Sequence, residues 1–487
     1  MSKDYIREIQ GSFVFLSPLN GDRHLKRKNT KSLPESTNDS DISTESEEDN
    51  GMPLYLQENL LTHKELRKNS HHSSYDTIRK PIDKIENHYP ISAKIEDVKQ
   101  GRHIDRCITL HRRPLKSDSV NNNNMNSIVY LIKSNYQRTE DGSLEMVNTD
   151  VHQKQKEATG KIAKQLGAAL FTKKSISLPV SIFEPQTMLE KVALTFVYAP
   201  NFLEPAAKTF DKFEQFKLTL SFWIASLHTN VWLYKPFNPI IGETFQGFVE
   251  DSPIYVEQIS HHPPVCCFQM YGDQFNIQGS YETQANTSTN SLKTKNVGFP
   301  KISFKNTNVN ITAFMPTFQV TGTMYGKKAY VLSHKLILVD FENQYYAEIE
   351  FDTDSGFWSK DKKLTKDAFS SSIWKVKSSF LQKLQKEMQS NKDFSIKFKP
   401  KEDAEEKLDA IEGSWLTSLN IGYQKYWTFG ADNPAILRKI TNALPSDSTF
   451  RPDVLHLKVN DEKAAQKYKE ELEATQRKDR KLREQKK

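Results

Sequence analysis

Val256-Glu257-Gln258-Ile259-Ser260-His261-His262-Pro263-Pro264-Val265-Cys266-Cys267-Phe268 is the stretch from which the chain is best read. A strand-like run leads into two adjacent imidazoles and then into a Pro-Pro pair. Each proline lacks an N–H and has a fixed φ, so the chain there is extended and is not a central rung of a sheet. The two rings are therefore expected at a strand end. Imidazoles held there beside Glu257 suit an anion such as a phosphate, because both ring nitrogens donate once the ring is protonated. The plainer reading is one buried, hydrogen-bonded histidine beside one that faces solvent. Adjacent residues of an extended chain point to opposite faces, and no third histidine or carboxylate stands at metal spacing. Neither a metal centre nor a catalytic pair is expected.

From Tyr255 to Trp358 short segments alternate apolar and polar residues, as in Ile302-Ser303-Phe304, Val309-Asn310-Ile311 and Ala347-Glu348-Ile349-Glu350-Phe351. Turn signals such as Gly272-Asp273 and Glu342-Asn343 separate them, and no helical pattern interrupts them. That predicts an antiparallel meander closing towards a barrel, and a barrel of many strands is too wide to fill with its own side chains. Upstream, Phe213, Phe216, Leu220, Trp223, Ile224 and Leu227 recur at helical spacing between Asp211 and Asn230 and read as core. Tyr234-Lys235-Pro236-Phe237-Asn238-Pro239-Ile240-Ile241-Gly242-Glu243 then stops the helix, its prolines stiffening the turn. On their own, Lys235 and Asn238 read as a surface lysine and a turn-capping asparagine.

The tail from Asp461 to Lys487 is rich in helix formers, which would set Lys469, Glu473 and Arg477 four apart on one face. Surface ion pairs are the default reading of such a triple. Residues 1–155 read as a largely disordered extension: they hold a basic run from Arg23 to Lys31, a Ser/Asp/Glu-rich run from Glu35 to Asn50, an Asn tract at Asn121 to Asn124, and no tryptophan. Within them Ser12 to Leu16 and Ile128 to Ile132 are apolar patches that suit a strand or a docking peptide. Between Ile162 and Phe171 an amphipathic run flanked by lysines suits either a packed helix or a helix lying on a membrane surface.

The chain has 487 residues, 37% of them hydrophobic, with a net charge of +7 and three cysteines, Cys107, Cys266 and Cys267. That predicts one large domain with extensions and no disulfide framework, in keeping with a reducing cytosol. The charge permits an anionic partner, but no recognised nucleic-acid motif accompanies it, so none is expected to bind. The N-terminus lacks an apolar signal region and no eighteen apolar residues run together, so any membrane contact is expected to be peripheral.

Glu257-Gln258-x-Ser260-His261-His262-Pro263-Pro264 resembles the fingerprint of the oxysterol-binding protein-related family of lipid-transfer proteins. The run Lys235 to Glu243 is similar to that family's Lys-Pro-x-Asn-Pro-x-x-Gly-Glu signature, and Leu444 to Asp453 resumes the family pattern, as does Ile411 to Trp415. Lys469, Glu473 and Arg477 stand in register with its Lys-x-x-x-Glu-x-x-x-Arg run. The resemblance covers about residues 160 to 487 and implies a mainly β fold with helices (α+β). This is an incomplete many-stranded antiparallel β-barrel enclosing an apolar lipid tunnel, with an N-terminal lid and C-terminal helices. It implies a lipid-binding domain over 156–487, with the lid at about 156–182 carrying Ile176 and Leu178. It further implies that His261, His262, Lys235, Asn238, Lys469, Glu473 and Arg477 hold a phosphoinositide headgroup. The implied activity is exchange of phosphatidylinositol 4-phosphate against a sterol, or phosphatidylserine, between membranes, by a cytosolic monomer that needs no cofactor and touches anionic membranes peripherally. The alternative is a sensor that binds the same lipids without carrying them. The stretch from Asp361 to Lys401 fits the family pattern poorly and is expected to be an insertion more than a pair of barrel strands.

Overall fold

The computed structural model describes residues 128–155, 157–158, 177–288, 290–323, 325–351, 364–390 and 396–484, all of them within one compact unit. Ile176 and most of the expected lid lie outside the described residues.

The alternation around the histidines folds as expected. β5 (Thr244–Val249), β6 (Ser252–His261), β7 (Pro264–Tyr271) and β8 (Phe275–Thr287) form consecutive antiparallel pairs. β8 is long enough to pair twice more, at its end with β9 (Ser291–Val297) and at its start with β10 (Lys301–Phe304). β10 continues to β11 (Val309–Phe314) and β9 to β12 (Thr317–Thr321), and both lead to β13 (Ala329–Asp340). From there the sheet runs through β14 (Tyr345–Phe351), β15 (Ala368–Val376), β16 (Ala404–Ser414) and β17 (Ser418–Ile421) to β18 (Gln424–Thr428). On the other side β19 (Leu437–Lys439) pairs with β5. Together with β1 (Tyr136–Arg138) and β2 (Leu144–Met146) this is one sheet of 17 strands, and the pairings described leave it open between β18 and β19. A second, two-stranded parallel sheet joins β3 (Phe183–Thr187) to β4 (Lys235–Phe237).

The period-2 pattern decides which face is buried. Ile254, Val256, Phe268, Ile277, Ile302 and Ile311 are buried, whereas Tyr255, Glu257 and Gln269 between them are exposed. Against the apolar face pack α2 (Met188–Leu194), α3 (Ala199–Lys208) and α4 (Lys212–Ser226), bringing Phe196, Phe216, Leu220, Trp223 and Ile224 into the same core. Asp211 caps α4 by accepting from the Phe213 and Glu214 amides. Each large apolar side chain closed off in this way contributes about 1.5–3 kcal/mol.

Two parts of the chain depart from the sequence reading. The Asp361–Lys401 stretch contributes β15, paired with both β14 and β16, and then α5 (Ser378–Ser390), whose Phe380 and Leu384 pack with Tyr346 and Val376. Ser370-Ser371-Ser372 at the middle of β15 blurs the alternation that would have announced a strand. Ordered structure also begins well before residue 155. Ile128 to Asn135 is a helix, α1, where a strand or docking peptide was expected, and the β1–β2 hairpin that follows adds to the sheet by pairing β2 with Ala329 and Tyr330 of β13. Arg138 fastens it, its Nε and Nη2 lying 2.7 and 2.9 Å from the carboxylate of the fully buried Asp367. At the other end α6 (Pro452–Lys458) and α7 (Glu462–Glu484) realise the helical tail.

Candidate functional site

The floor of the site is Phe183. On β3 it lies beside Lys235 of β4, and with Leu178, Val180, Phe237, Val454 and Ala465 it forms a small separate core. Two lysines 234 positions apart in the sequence stand over its ring, Lys235 Nζ at 5.1 Å and Lys469 Nζ, from α7, at 5.2 Å from the centroid. The negative face of the ring attracts both ammonium groups and so partly offsets their mutual repulsion. Lys469 is buried and donates to Glu473 Oε1 at 2.5 Å and to Ser177 Oγ at 2.6 Å. Lys235 donates to Asn238 Oδ1 at 2.7 Å. Burial, and next the charge of Lys469, push the Lys235 ammonium down to about 7, with Glu473 acting in the opposite sense.

Asn238 opens a turn held at both ends. Glu243 accepts from the Ile240 amide at 3.0 Å, the Ile241 amide donates to Gln476 of α7, and Gly242 N and Gln258 N tie the turn to β6. Gly242 has φ +80°, where a side chain would strain the backbone. Glycine is therefore favoured there.

β6 ends at His261 and β7 begins at Pro264, which pair, so the histidines do stand at a strand end. They do not point to opposite faces, because the strand stops between them. The two rings meet edge to face with centroids 4.6 Å apart. A doubly donating imidazolium at His261 requires a protonated ring, and its surroundings oppose that. Burial first, then His262 and Arg480, push it down to about 4, although its ring hydrogen-bonds the Pro239 carbonyl. A neutral ring spends its single N–H on that carbonyl, and Nδ1 is buried without a partner. His261, Asn238, Pro239 and Gln258 line a common cleft of about 20 Å³, room for about one water.

Thus Lys235, Asn238, Lys469, Glu473 and the two histidines converge through shared neighbours. Arg477 sits at the rim, 53% exposed and 3.9 Å from Glu473. Leu178 is buried in the small core under the lysines, and Ile176 lies outside the described residues. The sequence reading misses Phe183, Ser177 and Arg480. Only Arg480 has a local signal: it follows Arg477 by one helical turn. Among the described residues no cluster of His, Cys, Asp and Glu could hold a metal ion, and no helix is long and apolar enough to cross a membrane. A second, open cavity of about 1040 Å³ lies against β5–β11, with Tyr255, Glu257, Val265, Phe299, Lys301 and Met388 in its lining.

Residues 162–487 match the family model described as Oxysterol-binding protein. The chain is 29% identical over 356 residues to Oxysterol-binding protein 9 of Dictyostelium discoideum, covering 71% of this chain and 80% of that relative. It is 30% identical over 185 residues to Oxysterol-binding protein-related protein 5 of Homo sapiens, covering 36% of this chain and 21% of that much longer protein. In fold it is similar to the crystal structure of Osh3 ORD in complex with PI(4)P from Saccharomyces cerevisiae, with a TM-score of 0.50 and 22% identity, over 67% of this chain and 84% of that one.

Proposed function

Because the chain belongs to the oxysterol-binding protein family, we propose that it extracts phosphatidylinositol 4-phosphate by its headgroup and exchanges it between membranes for a second lipid, a sterol or phosphatidylserine. The observation that carries this reading is the pair of lysines, Lys235 and Lys469, crowded over one phenylalanine ring. Glu473 offsets part of this pair of charges, and an incoming anion would offset more of what a largely buried place makes unfavourable. An inositol phosphate supplies that anion and several hydroxyl groups for Asn238, Glu473 and the histidines.

The division of labour follows from solvation. Burying hydrocarbon contributes about 0.8 kcal/mol per methylene, but the donor bilayer already provides it, so tail contacts largely cancel on extraction. Charge-assisted hydrogen bonds, about 1.5–3 kcal/mol each, then decide which headgroup is taken. The membranes are met peripherally and from the cytosolic side, by a monomer. The test is a two-liposome assay in which extraction and transfer of phosphatidylinositol 4-phosphate, sterol and phosphatidylserine are measured side by side. Transfer of the phosphoinositide against one of the other two is expected. Binding without transfer would make the protein a sensor, and no binding of the phosphoinositide would end the proposal.

A further inference from the structure

We propose that Arg451 is the positioning residue of the headgroup site, its buried guanidinium holding the Asn238 turn in the shape that sets Lys235 and His261 on a common anion; this rests on the headgroup reading above. Arg451 is 7% exposed and immediately precedes α6. One nitrogen, Nη1, donates both to the Asn238 carbonyl at 2.7 Å and to Glu243 Oε2 at 2.8 Å, at the two ends of the turn. Nε and Nη2 grip the Asp453 carboxylate at 3.0 and 2.5 Å, and the guanidinium carbon lies 5.5 Å from the centre of the Phe237 ring, one residue before Asn238.

These bonds stay inside the protein, so Arg451 has no direct part in gripping a ligand. Its effect passes through two neighbouring residues. The Asn238 side chain accepts from Lys235 Nζ, and the Pro239 carbonyl receives the His261 ring. Both arms of the candidate site therefore hang on the short segment whose backbone Arg451 holds. A planar fork is needed to reach Asn238, Glu243 and Asp453 together, and a lysine ammonium supplies the charge without that geometry. The arrangement also accounts for the glutamate of the Lys235–Glu243 run: Glu243 carries the far end of the turn to the guanidinium while accepting from Ile240.

The experiment compares the full-length protein with Arg451→Lys and Glu243→Gln. Phosphatidylcholine vesicles containing either phosphatidylinositol 4-phosphate or sterol report extraction of each lipid, and hydrogen exchange reports the Ile240 and Ile241 amides. Arg451→Lys is expected to lose phosphoinositide extraction at least tenfold, to change sterol extraction less than twofold, and to lose protection at both amides. Glu243→Gln should repeat the pattern more weakly, and it decides the matter if the lysine variant fails to fold. Retained phosphoinositide extraction in a folded variant, or equal loss of both lipids, overturns the assignment. If the unaltered protein extracts no phosphoinositide, the headgroup reading falls; the exchange data then separately decide whether Arg451 orders the turn, and unchanged protection refutes that as well.

Discussion

Lys469 donates a 2.6 Å hydrogen bond to the hydroxyl of Ser177, tying α7 to a residue of the expected lid. On the proposed headgroup reading, an incoming phosphate competes for that same ammonium. Replacing Ser177 with alanine removes the internal acceptor and leaves the lysine a donor to offer. Phosphoinositide affinity is expected to rise by a few fold, the equivalent of one ordinary hydrogen bond of about 1 kcal/mol, as read by vesicle extraction. A fall in affinity would mean that Ser177 holds the lysine in its working position.

The lowered pKa of Lys235 makes headgroup binding depend on pH. The ammonium is pushed down to about 7, and a bound anion would draw it back up, so binding would take up a proton above that pH. Affinity is expected to fall between pH 7 and pH 9, by up to about tenfold per unit for one proton. Below pH 7 the lysine is already charged and this dependence disappears. In folding the sign is the reverse of the usual lysine case. The unfolded chain binds the extra proton between about 7 and the ordinary 10.5, so the contribution of Lys235 to stability rises with pH across that window. Isothermal titration at several pH values checks the first statement, and Lys235→Arg should flatten the profile.

Replacing His261 and His262 together with alanine is expected to lower phosphoinositide affinity by about a hundredfold, from the loss of two polar contacts worth on the order of 3 kcal/mol together. Sterol, with one hydroxyl, has little use for a cluster of donors, and its extraction should change by less than tenfold. Equal loss of both lipids would mean that the pair holds the β6–β7 turn and nothing more.

Limited proteolysis is expected to leave a stable fragment that begins close to Ile128, because the β1–β2 hairpin is paired into the sheet and Arg138 neutralises a buried aspartate. Arg138→Ala leaves Asp367 without its cation. The cost is about 2 kcal/mol, below that of a fully buried pair because the arginine is one-third exposed, and thermal unfolding should register it. A protected fragment starting beyond residue 155 would contradict this.

Which of these features the sequence discloses depends on how local the cause is. The Val256–Phe268 run is legible because Val256, Cys266 and Phe268 turn into the core while Glu257, Ile259 and Cys267 turn away from it, so burial follows period 2 even though the outward residues are mixed. Pro263 and Pro264 likewise mark the end of β6 without reference to anything distant. β15 is illegible because three consecutive serines lie in it. The hairpin before residue 155 has strands of three residues each, too short to show a period, and its stability comes from β13 and Asp367 nearly two hundred residues or more away. The Ser177–Pro185 run resembles the family's junction between lid and barrel, but nothing in it places Phe183 under two lysines: its ring matters only once β3 and β4 lie side by side and α7 arrives above them.

That arrival bears on how the protein is made. Ser177 and Lys469 are 292 positions apart, so the contact that closes the site joins a segment to one synthesised well after it. The 17-stranded sheet and its apolar face must pass through a stage on the ribosome when α6 and α7 are still missing and Phe183, Val180 and Phe237 have no cover. A chain halted before Lys469 has its strands and both histidines and lacks the second cation. On the proposed reading, an anionic headgroup can be held only after α7 has been made.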